Sequence, residues 1–86
     1  MSPAKAAESA PAKLARRDVW KRLGAPTDQV GSVNDPRTRE EHGVRWNEKW
    51  IWLLPGGSRR IAYWHRYDFR GAFVEDAGGE AREESL

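Results

Sequence analysis

The chain has no cysteine among its 86 residues. No disulfide can staple it, and no thiolate can hold zinc or act as a nucleophile. It also has no apolar run near the roughly 20 residues needed to span a bilayer. The opening Met-Ser-Pro-Ala-Lys-Ala-Ala-Glu-Ser-Ala-Pro-Ala-Lys lacks the hydrophobic stretch of a secretion signal, so a cytoplasmic location without a membrane partner is expected. Histidine is scarce: only His42 and His65 are present. Joined by Glu40, Glu41 or Asp68 they make a thin ligand set on separate elements, and neither a metal nor another cofactor is expected.

Aromatic side chains and charge are what the chain has in quantity. Of five Trp, two Tyr and two Phe, all but Trp20 fall between Arg45 and Val74. A domain this small buries a modest share of its surface, so its stability margin is thin. Each buried Trp or Tyr removes roughly 150–250 Å² from water, which lets a few of them build a core. Net charge is +2, unevenly spread. Residues 12–74 carry thirteen Lys and Arg against seven Asp and Glu, whereas residues 75–86 carry five acids against Arg82 alone. A basic body with an acidic tail suits a polyanionic or acidic partner, or simply a solubilising tail.

Along the chain, residues 1–11 have no apolar period and are expected to be disordered. Residues 12–23 read as a helix, with Ala12, Ala15, Val19 and Leu23 at three- and four-residue spacing and Trp20 beside them. Gly24 stops it and Pro26 prevents its resumption. So short a helix needs a surface for its Val19/Trp20/Leu23 face, and the Trp-rich stretch is the candidate within the chain. Residues 24–44 read as a long connection with a turn at Asn34-Asp35-Pro36 and at most one helical turn over Thr38–Glu41. Residues 75–86 read as an acidic flexible tail. The expected fold is α+β: a single domain over residues 12–74, with one N-terminal helix packed on a small antiparallel sheet.

The sheet centres on a hairpin. Two arms rich in aromatic and β-branched residues flank Pro55-Gly56-Gly57-Ser58. Placing Gly56-Gly57 as a two-residue turn sets Trp52 opposite Ile61, Trp50 opposite Tyr63, Glu48 opposite His65 and Trp46 opposite Tyr67 on one face. The other face then carries Leu53 opposite Arg60, Lys49 opposite Trp64 and Arg45 opposite Asp68. Aromatic pairs gather on the first side, for the helix to cover. The second keeps Lys49, Arg60, Trp64, Arg66 and Arg70 for solvent or a partner. Gly71 is the natural bend point.

Glu48 with His65 forms the one acid–imidazole pair this register offers. As a general base, His65 has no hydroxyl nucleophile nearby, so the pair reads first as a cross-strand ion pair. The Gly-rich 55–60 turn with Arg59 and Arg60 lacks the strand-to-helix setting of a phosphate loop. Arg60, Arg66 and Arg70 around Trp64 have the make-up of a nucleic-acid platform, and equally of a protein interface anchored by Trp and Arg.

Val19-Trp20-Lys21-Arg22-Leu23-Gly24-Ala25-Pro26-Thr27, a loop, and then Trp50-Ile51-Trp52 with a return strand is similar to the helix–Leu-Gly-x-Pro-Thr–β pattern of the small outer-membrane assembly lipoproteins. The resemblance covers roughly half the chain and implies a helix followed by an antiparallel sheet. The cysteine that carries that family's lipid has no counterpart here. The expected function is a non-catalytic interaction module or small accessory subunit that binds a larger protein through aromatic and Arg side chains and the 24–44 loop. The alternative is a nucleic-acid-binding protein using the basic aromatic sheet face.

Overall fold

The computed structural model describes residues 14–86; the tail expected to be disordered, residues 1–11, lies outside them. One helix and seven strands follow one another: α1 (Arg16–Leu23), β1 (Asp28–Gly31), β2 (Arg39–Glu41), β3 (Val44–Trp46), β4 (Glu48–Leu53), β5 (Arg59–His65), β6 (Asp68–Glu75) and β7 (Ala81–Glu84). The fold is α+β. Five strands form an antiparallel sheet in the order β1-β4-β5-β6-β7, and β2 and β3 form a separate two-stranded hairpin.

The central hairpin is β4–β5, and its register differs from the expected one by a single residue. Trp50 faces Ala62, Ile51 faces Ile61, Lys49 faces Tyr63 and Glu48 faces Trp64. The cause is the turn. Pro55-Gly56-Gly57 form a three-residue 3-10 loop closed by a hydrogen bond from Leu54 N to Ser58 O, with both glycines at positive φ. An odd number of loop residues shifts the pairing by one, and a shift of one carries every side chain of one arm to the opposite face.

The aromatic residues are consequently divided between two faces. Trp50, Trp52, Ala62 and Trp64 form one buried cluster, which also contains Val19 of α1 and has Leu14, Leu23, Leu54, Phe69 and Leu86 around it. Trp46, Ile51, Ile61 and Tyr63 form the other, with Val30, Val44 and Phe73. The expected single aromatic face, with Trp50 beside Tyr63, does not exist.

The second face is covered by a hairpin the sequence reading missed. Arg39–Glu41 is a strand, not a helical turn, and His42-Gly43 links it to β3 with φ of 53° and 76°. Two consecutive positive φ values define the tight turn whose twist matches antiparallel strands. The hairpin lies against β5 and β6. Asp28–Gly31, part of the same supposed loop, adds to the sheet beside β4.

The acidic end is also ordered. Residues 75–86, expected as a flexible tail, contribute Glu75 to β6 and Ala81–Glu84 as strand β7. Charge pairing supplies the reason: Arg60 Nε and Nη2 donate to Glu84 Oε1 and Oε2, each at 2.8 Å, a fork that a disordered tail would leave open.

Candidate functional site

The residues singled out in the sequence are not assembled as one surface. Trp64 is fully buried, 4.9 Å from the Trp50 ring and 5.4 Å from Phe69, because the register turns it inward. Lys49 is almost buried and lies over Trp46 at 5.0 Å rather than over Trp64. Its Nζ donates to both oxygens of Glu41, at 2.8 and 3.0 Å. Arg60 is held by Glu84. Arg66 and Arg70 stay exposed. Glu48 and His65 do not pair: Glu48 accepts from Arg16 Nη2 at 2.8 Å and from Trp50 Nε1 at 2.9 Å, while His65 Nε2 lies 3.3 Å from Thr38 Oγ1.

Two polar clusters tie the β2–β3 hairpin to the sheet. Glu41 accepts from Lys49 and from the Tyr63 hydroxyl at 2.8 Å. Burial raises the Glu41 carboxyl, but these two donors outweigh it and hold it below the ordinary value. Burial first, and then the Glu41 carboxylate that takes its proton as a hydrogen bond, push the Tyr63 phenol far upward. Glu75 accepts from Arg59 at 2.9 Å and lies 2.9 Å from His42 Nε2. Its own burial penalty is likewise overcome by these partners, which lower its carboxyl.

Asn47, at the break between β3 and β4, was missed as a structural centre. Fully buried, it donates through Nδ2 to Val33 O and Asp35 O, both at 3.1 Å, and accepts the Arg66 N–H at 3.1 Å. Its only signal in the sequence was a polar residue beside Trp46 inside an apolar run.

The held N–H of Arg66 belongs to an unusual turn. Arg66 and Tyr67 join β5 to β6 with φ of 50° and 80°, a left-handed pair made without glycine. Such residues cost on the order of 1–3 kcal/mol each and gather at binding and catalytic sites. Tyr67 is 62% exposed, and the Arg16 guanidinium lies 5.6 Å from its ring on one side and 5.1 Å from Trp50 on the other. Trp20, 40% exposed, meets Trp50 edge-on at 5.4 Å. A largely apolar hollow of about 410 Å³ opens here, lined by Arg16, Arg17, Trp20, Lys21 and Trp50.

A second, more polar cleft of about 530 Å³ is lined by Thr38, Gly43, Val44, Arg45, His65 and Arg70. Among the described residues, no group of three or more His, Asp or Glu is placed to hold a metal ion. None of the helices among them is long and apolar enough to cross a membrane. Comparison of the chain with protein families, curated proteins and solved structures finds no match.

Proposed function

We propose that this protein is a non-catalytic interaction module that binds a larger protein through the Arg16–Trp20–Tyr67 surface. One observation carries the reading: aromatic side chains that are elsewhere buried remain exposed on either side of Arg16, and one of them sits on a turn held in left-handed geometry. The reading takes α1 as docked on the first sheet face, supported by the buried Val19, the Arg16–Glu48 ion pair and the 3.0 Å bond from Trp52 Nε1 to Gly24 O. Exposed Trp, Tyr and Arg around an apolar hollow are the residues that anchor protein contacts. Arg16, Arg17 and Lys21 give the rim a positive charge, so the fitting partner segment carries an apolar anchor flanked by acids.

The 24–44 connection has less to offer such a partner than its length suggests, because Asp28–Gly31 and Arg39–Glu41 are engaged in strand pairing. The nucleic-acid alternative has weaker support: its stacking ring, Trp64, is buried, and Lys49 and Arg60 are committed to carboxylates.

Affinity capture from native extract, with and without nuclease, tests the reading. The expected result is a protein retained by the wild type, insensitive to nuclease, and lost with Trp20→Ala and with Tyr67→Gly. Both variants should keep the far-UV spectrum, since Trp20 is partly exposed and glycine suits the φ of Tyr67. Capture that vanishes with nuclease would transfer the reading to nucleic acid. Capture unaffected by either substitution would remove this surface from the function.

A further inference from the structure

We infer that the cleft between the β2–β3 hairpin and the β5–β6 end of the sheet is a binding site for the phosphate of a small phosphomonoester. It lies apart from the Arg16–Trp20–Tyr67 surface and does not depend on the function proposed for it.

The lining decides the chemistry. Of the six lining residues, Arg45, Arg70 and His65 are basic or can become so, Thr38 adds a hydroxyl, and none is acidic. Guanidinium forks meet phosphate oxygens in bidentate fashion, and a hydroxyl and an imidazole N–H supply further donors to the same group. A phosphomonoester carries about −1.5 to −2 at neutral pH, which two Arg match; a single carboxylate would leave one of them uncompensated. About 530 Å³ is a volume that small-ligand sites commonly have.

The backbone around the cleft is arranged to bring these groups together. In the β5–β6 ladder Tyr63 faces Gly71 but Trp64 faces Phe69, so Arg70 is the extra residue of a β-bulge. The bulge sends Phe69 into the cluster with Trp64 and leaves Arg70 lining the cleft with His65. Bulges commonly re-aim a side chain beside a functional site. Gly71 next to it allows the β3 approach: a Cβ there would stand 3.7 Å from Val44 Cγ2. Thr38 Oγ1 and His65 Nε2, 3.3 Å apart, link the two walls.

Nearby acids compete only weakly. Asp68 Oδ2 stands 4.0 Å from Arg70 Nη2 with both side chains largely exposed, a pair worth little in water. Glu40 is opposite Arg45 in the β2–β3 ladder and is exposed.

Titration of the full chain with phenyl phosphate at low salt, followed by amide and His65 ring NMR shifts, tests the inference. Saturable shifts centred on Thr38, Arg45, His65 and Arg70 are expected, with affinity falling at least about tenfold in Arg70→Gln and in Arg45→Gln. Trp20→Ala should bind phenyl phosphate as the wild type does. Phenylacetate binding as tightly as phenyl phosphate would overturn the phosphate assignment. A short oligonucleotide binding more tightly through the same residues would replace the monoester by a polynucleotide. Absence of saturation, or affinity indifferent to both Arg substitutions, would eliminate the site.

Discussion

At the residue scale, backbone contacts constrain this chain as tightly as the aromatic packing does. Gly31 ends β1 at φ 77°, and a Cβ on it would run into the Asn47 carbonyl oxygen. That carbonyl cannot retreat, because Asn47 is buried and its side chain is held to Val33, Asp35 and Arg66. Gly43 has nearly the same φ, 76°, with open space where its Cβ would stand. Gly43→Ala should therefore cost about 1 kcal/mol, the conformational penalty alone. Gly31→Ala should cost more than about 2 kcal/mol, since a clash is added to the same penalty. Urea unfolding of the pair checks this, and equal costs would mean that the Asn47 loop yields readily.

At the scale of elements, β7 is expected to hold the sheet rather than trail from it. It covers the outer edge of β6, carries the Glu84 carboxylate that forks with Arg60, and leads to Leu86 against the first buried cluster. Deleting residues 81–86 removes all three. The expected loss is about 2 kcal/mol, which for a domain of this size lowers the melting temperature by about 10 °C. Thermal melts followed by circular dichroism measure it. A melting temperature unchanged by the deletion would show that β6 serves equally well as an edge strand.

At the scale of the whole molecule, carboxylates join the β2–β3 hairpin to the sheet, and this gives stability a direction with pH. The Glu41 and Glu75 carboxyls both titrate below their ordinary value of 4.5 in the folded state, burial opposing and hydrogen-bond donors prevailing. The unfolded chain thus takes up protons first as the solution is acidified. The stabilisation from these groups is complete above pH 4.5 and disappears as pH falls from there through the lowered folded values. The urea midpoint should drop across about pH 5 to 3, and Glu75→Gln should be less stable at neutral pH yet flatter over that window. A variant as acid-sensitive as the wild type would place the titration elsewhere.

The sequence by itself determined the kinds of element and much of their location. A helix ended by Gly24 and two aromatic arms around Pro55-Gly56-Gly57 are local matters, set by spacing, propensity and turn residues within a few positions. Other features could have been read but were not: His42-Gly43 between short strands, and alternating acids and bases at the end of the chain. What only the tertiary structure decided was which side of each strand faces inward. That rests on whether a glycine-rich loop closes with two residues or three, a small local difference that the packing of both sheet faces resolves. A second layer, the β2–β3 hairpin, made it favourable to bury aromatic side chains on both sides, so Trp64 went inside and the exposed aromatic surface formed instead around Arg16, Trp20 and Tyr67.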